Sequence, residues 1–462
     1  MIKDLKLPWK KENNKDIFKK EKRVVLGFWL LNNNFQNKQP KLKNKQQMKV
    51  LKIATAGSVD DGKSTLIGRV LYDTKSLTDD KLEAIKQKSK QKGFDYLDFS
   101  LATDGLMAER EQGITIDVAH IYFSTPSKSF IVADTPGHIE YTRNMVTGAS
   151  TAQVSIVLVD ARKGVVEQTY RHFFINNLLR IKEVVIAINK MDLVNFSEEK
   201  YQTIKDEIAF LASKSEYKKQ NLTFIPLSAL QGDNVVKKSE NMPWYTGETL
   251  MHHLENLETE DIQDHSQARF PVQSVIRPKT KGYHDFRGYA GKVYGGSFSV
   301  GDQITVLPSQ TKSTIKSINF FDKEYLKATS GSAVSITLED NVNVSRGDML
   351  VKLNEGPKIT KQLEATICWM DKTPLKAAQK FYIKHGVNDA QAKITQLKSI
   401  IKTDFSGKID RPNEIEINQI GDIQLKLSKP LLVDPYNQNK PNGAFILINP
   451  KTNNTVGVGF IR

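Results

Sequence analysis

Residues 57–64 read Gly-Ser-Val-Asp-Asp-Gly-Lys-Ser, which is a G-x-x-x-x-G-K-[ST] pattern. An apolar run precedes this segment and a helix-forming run follows it, which predicts a loop between a strand and a helix. In that position the backbone N–H groups point at phosphates, and Lys63 neutralises β- and γ-phosphate oxygens. An accidental glycine turn is the alternative for this segment alone. The predicted phosphate-binding residues are Gly57, Ser58, Val59, Asp60, Asp61, Gly62, Lys63, Ser64 and Thr65.

A second segment, Asn189-Lys190-Met191-Asp192, carries a carboxylate that can distinguish purine bases. The Asp192 carboxylate can accept hydrogen bonds from N1–H and the exocyclic amine of guanine, whereas adenine presents the wrong donor pattern. Asn189 and the backbone at Ser228-Ala229 are predicted to serve the base and its O6 side, and the Lys190 stem to lie across the ring. Such a site rejects a mismatched base because buried polar groups would lose their partners. The predicted ligand is therefore GTP.

A third segment, Asp134-Thr135-Pro136-Gly137-His138, predicts a sensor of the γ-phosphate. Asp134 ends an apolar strand, where a carboxylate can hold a water ligand of Mg²⁺, and the Gly137 N–H can contact the γ-phosphate. Thr115 is predicted to be a second magnesium ligand on a mobile segment; an ordinary strand threonine is its alternative. The predicted magnesium ligands are Ser64, Thr115 and Asp134.

His138 follows the predicted γ-phosphate contact directly. A histidine there can orient the attacking water and stabilise developing charge without acting as a full general base. A turn histidine that faces solvent is the alternative. The predicted catalytic residues are Lys63, Thr115, Gly137 and His138.

A mostly parallel sheet must position these segments. Between residues 50 and 257, apolar runs alternate with helix-length segments, and the runs cover 51–56, 130–133, 154–159, 184–188 and 222–226. Strands separated by helices imply crossover connections, and open α/β sheets bind ligands at the carboxyl ends of their strands. The prediction is an α/β P-loop GTPase domain with helices on both faces of the sheet.

The residue pattern changes after residue 270, where short β-branched runs alternate with Gly, Asn and Pro turns. That pattern predicts all-β barrels, and the segment is long enough for two of them. The predicted domains are a GTP-binding domain at 48–258, a linker at 259–270, a β-barrel at 271–355 and a second β-barrel at 356–462. Residues 1–47 are expected to be a disordered basic leader, or to reflect a start assigned upstream of Met48.

Most of the basic charge lies in this leader. The formal net charge is +15, and residues 1–49 hold 14 Lys and Arg against 4 Asp and Glu. The remaining residues carry 53 basic against 48 acidic side chains, which argues against nucleic acid as a partner. A single cysteine, Cys368, and the lack of an apolar run of about 20 residues predict a cytoplasmic protein without a membrane partner.

These residues resemble the translational GTPase family, in which a guanine-nucleotide domain precedes two β-barrels, as in elongation factor Tu. Within it, residues 54–69, 104–113, 141–149, 285–291 and 443–462 look like the large subunit, or subunit 1, of bacterial sulfate adenylyltransferase. Elongation factors usually carry histidine where Asp61 stands and threonine where Ser64 stands. The resemblance covers essentially everything after Met48.

The resemblance implies a GTPase that pairs, as a heterodimer or a larger assembly, with a smaller catalytic subunit. That subunit joins sulfate to ATP, which gives adenosine 5′-phosphosulfate and pyrophosphate, and the family couples this unfavourable reaction to GTP hydrolysis. The sequence has no second phosphate loop for ATP, which agrees with adenylyl transfer elsewhere. A tRNA- and ribosome-binding elongation factor is the main alternative, and Asp60-Asp61 argues against it. A nucleotide-binding scaffold is disfavoured because Thr115, Gly137 and His138 are intact.

Overall fold

The computed structural model describes residues 50–91, 93, 96–102, 118–135, 142–258, 267–277, 286–321 and 323–462. The predicted leader at 1–47 lies outside these residues. Within these ranges, every helix is too short or too polar to cross a lipid bilayer.

The first part of the chain forms a six-stranded sheet with the order β2-β3-β1-β4-β5-β6. Its strands are β1 (Val50–Ala56), β2 (Ala119–Ser124), β3 (Ser129–Asp134), β4 (Val154–Asp160), β5 (Glu183–Asn189) and β6 (Asn221–Pro226). All neighbouring pairs are parallel except β2 with β3. The helices are α1 (Lys63–Asp73), α2 (Asp79–Gln91), α3 (Thr142–Ala149), α4 (Glu167–Leu178), α5 (Glu198–Lys214) and α6 (Leu250–Asn256).

Helices cover both faces of this sheet, which explains why its central strands are continuously apolar. All seven residues of β4 are buried. On one face, Val157 and Ile186 pack with α3, α4 and α5, and on the other, Ile156 and Val185 pack with α1 and α6. Burying such a side chain contributes about 1.5–3 kcal/mol, so these two layers hold the strand ends in place.

The second part of the chain is a closed six-stranded barrel. Its strands and their short neighbours are β7 (Arg269–Ile276), β8 (Gly288–Lys292), β9 (Ser297–Ser299), β10 (Gln303–Leu307), β11 (Thr311–Phe320), β12 (Lys323–Tyr325), β13 (Lys327–Thr329), β14 (Ala333–Leu338) and β15 (Met349–Lys352). The order β10-β15-β7-β8-β14-β11 closes through the pairing of β10 with β11. Strand β7 begins at Arg269, before the predicted boundary at 271, because Arg269 and Phe270 already pair with β15.

The third part is another closed six-stranded barrel. Its elements are β16 (Lys358–Trp369), β17 (Leu375–Lys376), β18 (Lys380–His385), β19 (Asn388–Ile401), β20 (Lys408–Asp410), β21 (Glu414–Ile415), β22 (Ile420–Val433), β23 (Ala444–Ile448) and β24 (Thr455–Ile461). The order β18-β23-β24-β16-β22-β19 closes through the pairing of β18 with β19. The predicted fold class, a GTPase domain followed by two all-β barrels, is confirmed.

Buried contacts join the three parts. Phe405 of the third part packs its ring 5.3 Å from that of Phe174 on α4. Between the barrels, the Arg269 guanidinium makes a bidentate ion pair with the Asp434 carboxylate, and both N–O distances are 3.0 Å. Both side chains are buried, so this pair fixes one barrel against the other.

Candidate functional site

The phosphate loop lies between β1 and α1. Gly62 begins α1 with a φ of 93°, a left-handed conformation that glycine adopts without strain. A side chain there would also overlap the Asn189 amide. The Lys63 ammonium donates to the carbonyls of Gly57 at 2.8 Å and Ser58 at 3.0 Å. This lysine therefore lies folded over the loop that is predicted to hold the phosphates.

Lys63 is buried, and burial lowers its pKa, while Asp134 and Asp61 act in the opposite direction. The Ser58 hydroxyl oxygen is also buried, with no hydrogen-bond partner among the described residues. Buried polar atoms are costly unless they are paired, so an unpaired hydroxyl beside a buried lysine suits a loop that receives a polar, anionic ligand.

Asp61 has a structural function in this loop. Its Oδ2 accepts a hydrogen bond from the Ser58 N–H at 2.6 Å, and the residue is 2% exposed. Burial raises the pKa of Asp61, whereas that hydrogen bond and Lys63 lower it. The Asp61 carboxylate is thus bonded to the loop backbone and shapes the loop, and its place among the nucleotide-binding residues stays a prediction.

The base segment begins where β5 ends. Asn189 donates from Nδ2 to the Asp61 carbonyl at 2.8 Å and accepts at Oδ1 from the Ala229 N–H at 2.9 Å. Both ends of this amide are thus engaged within the protein. These two hydrogen bonds brace three loops, and the role of Asn189 and the Ala229 backbone at the O6 side of the base stays a prediction.

Asp192 lies in a short 3₁₀ helix, Met191–Val194, that directly follows Lys190. Its Oδ1 is buried and has no hydrogen-bond partner among the described residues. Lys190 adopts a left-handed φ of 65°, and its ammonium donates to the Asp60 carbonyl. A buried carboxylate oxygen without a donor is the acceptor that a guanine edge requires, and the Lys190 stem bridges from this segment to the phosphate loop.

Asp160, at the end of β4, is a site residue that sequence reasoning missed. Its carboxylate forms ion pairs with Lys190 at 3.1 Å and with Arg162 at 2.7 Å. Burial opposes ionisation, yet hydrogen bonds from Arg162 and Lys190 hold the pKa of Asp160 well below its usual range. What points to Asp160 is its position: it ends β4 directly opposite Asn189, which ends the adjacent parallel strand β5.

A magnesium site is compatible with the oxygen atoms near Lys63. Asp134, at the end of β3, is 2% exposed and accepts at Oδ1 from the Thr55 hydroxyl at 3.0 Å. Thr135 donates its hydroxyl to the Thr55 carbonyl, which holds the same strand end. The described residues contain no group of three or more His, Cys, Asp or Glu that could hold a metal. Mg²⁺ needs no such group, because it is bound through one or two protein oxygens, water and phosphate.

The structure brings most predicted residues to one edge of the sheet. The phosphate loop, Asp134 and the base segments all follow the carboxyl ends of parallel strands, namely β1, β3, β5 and β6. Thr115, Pro136, Gly137 and His138 lie outside the described residues, so their roles stay predictions.

Family models match two portions of the chain. Residues 48–262 match the elongation factor Tu GTP binding domain, and residues 362–462 match the GTP-eEF1A C-terminal domain-like family. The chain therefore has a GTP-binding domain of the elongation factor Tu type.

Full-length relatives decide the family. The chain is 47% identical over 433 residues to sulfate adenylyltransferase subunit 1 of Bacteroides thetaiotaomicron, covering 90% of this chain and 87% of that one. The chain belongs to the sulfate adenylyltransferase subunit 1 family. It is also 47% identical over 413 residues to the bifunctional enzyme CysN/CysC of Mycobacterium tuberculosis, covering 89% of this chain and 67% of that one. The predicted family and enzyme class are confirmed.

The sulfate adenylyltransferase subunit 1 fold is shared with a solved GTPase-like structure. The S. cerevisiae Ski7 GTPase-like domain, bound to GDP and inorganic phosphate, matches with a TM-score of 0.50 and 17% identity. The match covers 90% of this chain and 97% of that one. At this identity the likeness concerns the fold alone.

Proposed function

We propose that this protein hydrolyses GTP and couples the hydrolysis to synthesis of adenosine 5′-phosphosulfate and pyrophosphate from ATP and sulfate. The synthesis takes place in complex with a smaller catalytic subunit. The single observation that carries GTP selectivity is the buried Oδ1 of Asp192, which has no partner among the residues that the structure describes and lies on a segment tied to the phosphate loop. The name of the relatives, subunit 1 of an adenylyltransferase, supports the partner and the reaction.

The proposed hydrolysis depends on positioning and charge. Lys63 exchanges its contacts with the loop carbonyls for phosphate oxygens, which costs little because the ammonium is already desolvated. Ser64, Thr115 and Asp134 would hold Mg²⁺, which would neutralise charge at the phosphates when bound. Thr115 and Gly137 sense the γ-phosphate, and His138 orients the attacking water.

The proposed division of labour places adenylyl transfer in the smaller subunit. The sequence has a single phosphate loop, and the residues around it are committed to guanine and its phosphates. GTP cleavage here then drives an unfavourable reaction in the partner, so the chain acts as the energy-coupling subunit of a two-protein enzyme.

Co-expression with a candidate smaller subunit tests this proposal. Pyrophosphate release and adenosine 5′-phosphosulfate formation from ATP and sulfate are measured with GTP, without GTP and with a non-hydrolysable GTP analogue. We expect product formation to require hydrolysable GTP. Product formation that does not respond to GTP, together with co-purification of tRNA, would instead support an elongation-factor function.

A further inference from the structure

A large cleft lies where the GTP-binding domain meets both barrels. Its volume is about 1820 Å³, and residues of all three parts line it. The wall from the GTP-binding domain includes Lys52, Gln153 and Glu183, which belong to or flank the amino ends of β1, β4 and β5. The nucleotide site lies at the carboxyl ends of the same strands. The cleft is therefore a separate site at the opposite edge of the sheet.

Lysine and arginine side chains dominate this cleft. Five come from the GTP-binding domain, namely Lys52, Arg180, Lys182, Lys218 and Lys219. Four more come from the barrels, namely Lys292, Lys372, Lys384 and Lys440. Three carboxylates, Glu183, Glu216 and Asp371, lie among them.

These nine cations outnumber the carboxylates of the cleft three to one. None of the nine takes part in an ion pair within the part of the chain that the structure describes. The cleft carries a net formal charge of +6 from its lining residues, whereas the whole of residues 50–462 carries +5. The basic excess of the folded body is thus concentrated in one concave surface, where such a field attracts anions.

The junction of α4 with the third part shows how the cations are held together. The Lys440 ammonium donates to the Arg180 carbonyl at 2.8 Å, and the Tyr436 hydroxyl donates to the Leu179 carbonyl at 3.3 Å. The Arg180 guanidinium lies 5.3 Å from the centre of the Tyr217 ring. Burial, and secondarily Arg180, lowers the pKa of Lys440 to about 8. Two cations, Arg180 and Lys440, therefore share this junction.

The size and lining of the cleft favour a segment of a macromolecule. Small-molecule pockets have volumes of roughly 300–1,000 Å³, which this cleft exceeds. Of the apolar residues that line it, Met370 and Phe460 are only 7% and 4% exposed, so they offer little surface to a bound segment. An acidic polypeptide segment matches the size and charge of the cleft, whereas the near balance of 53 basic and 48 acidic side chains after residue 49 argues against a polynucleotide.

The cleft also reaches helix α3, which follows strand β3 in the sequence. Helix α3 begins at Thr142, eight residues after Asp134, and its residues Asn144, Val146 and Thr147 line the cleft. A protein bound there contacts a helix that follows, in the sequence, the strand of the predicted magnesium ligand Asp134.

We infer that an acidic segment of the smaller subunit docks in this three-domain cleft. The inference rests on the proposed function, and it adds where the partner binds and which charge it presents.

Charge reversal tests the inference. The cleft variant combines Lys219→Glu, Lys372→Glu and Lys384→Glu, three exposed residues whose side chains make no hydrogen bond with the described part of the chain. The control variant combines Lys238→Glu, Lys316→Glu and Lys429→Glu, which make the same charge change on exposed residues outside the cleft. Calorimetry measures the Kd of each full chain for the smaller subunit at several salt concentrations, and GTP turnover of each chain alone reports on folding.

We expect the cleft variant to bind the smaller subunit at least about tenfold more weakly and with a smaller salt dependence. Charged residues at an interface influence both the affinity and its dependence on salt. The control variant and the GTP turnover of both chains stay near wild type. Equal affinities of the two variants overturn the inference, as does a cleft variant that loses only binding of an RNA oligonucleotide. Failure of the wild-type chain to bind the smaller subunit overturns the proposed function itself.

Discussion

The Asn189 side-chain amide donates to the Asp61 carbonyl at 2.8 Å, although the two residues are 128 positions apart in sequence. Its other end accepts from the Ala229 N–H. One buried amide thereby connects the phosphate loop with both segments that surround the base. The phosphate and base contacts form as a unit, because displacement of any one loop removes a hydrogen bond from the others.

Replacing this brace should weaken nucleotide binding. In Asn189→Ala, the Asp61 carbonyl and the Ala229 N–H both lose a buried partner, at about 1–3 kcal/mol each. We expect the Kd for GTP and GDP to rise by about tenfold or more, as measured with a fluorescent nucleotide. Asn221→Ala, at an exposed residue of the same domain, is the control. An unchanged Kd in Asn189→Ala would contradict the bracing role.

The Asp160 carboxylate is predicted to position Lys190 against the base. Asp160→Asn removes the charge that holds Lys190 and Arg162, and breaking a buried pair is destabilising because it leaves a charge unpaired. GTP, GDP and xanthosine triphosphate should all bind more weakly by about the same factor. Asp206→Asn, on the exposed face of α5, is the control. A selective change for one base would assign Asp160 to base recognition instead.

His172 on α4 predicts a pH dependence of stability. Burial lowers its pKa to about 3, so the folded protein keeps it neutral. The unfolded chain, with a histidine pKa of about 6.5, binds one more proton between about pH 6.5 and 3. The contribution of His172 to the free energy of unfolding is therefore fully present above about pH 6.5 and falls by up to about 1.4 kcal/mol per pH unit below it.

Urea unfolding of His172→Gln across pH 4.5–8 checks this dependence, which corresponds to the uptake of about one proton on unfolding. We expect the variant to lose that one-proton slope relative to wild type. His252→Gln, which changes an exposed histidine, should keep it. A slope in His172→Gln equal to that of wild type would exclude His172 as its source.

His138 carries the predicted water-orienting role. In His138→Ala, GTP turnover should fall by about 10²–10⁴-fold, the range for a positioned acid–base group, while GTP affinity stays near normal. His120→Ala, on an exposed residue of β2, controls for the loss of an imidazole. Single-turnover hydrolysis separates chemistry from binding. Full turnover in His138→Ala would remove this residue from the mechanism.

The sequence was sufficient to predict those parts of the site whose structure is determined by the local pattern of residues. The segment from Gly57 to Ser64 requires a strand before it and a helix after it, and both are present. The motifs at Asp134 and Asn189 also end strands, as expected for ligand sites at the carboxyl ends of strands in an open α/β sheet.

Contacts between distant residues were not predictable in this way. Asp160 meets Lys190 only because β4 and β5 pair in one particular register. Asn189 reaches Asp61 through a fold that brings two loops together. The cleft cations are scattered from Lys52 to Lys440, so their shared charge is visible only in three dimensions.

Base selection by Asp192 is the central claim, and calorimetry of Asp192→Asn tests it most directly. Xanthine has a carbonyl where guanine has an amine, so an amide in place of the carboxylate reverses the hydrogen-bond pattern. The wild-type chain should bind GTP at least about 100-fold more tightly than ATP or xanthosine triphosphate, and the variant should prefer xanthosine triphosphate. Equal binding of GTP and ATP by wild type, or a variant that still prefers GTP, would contradict the account.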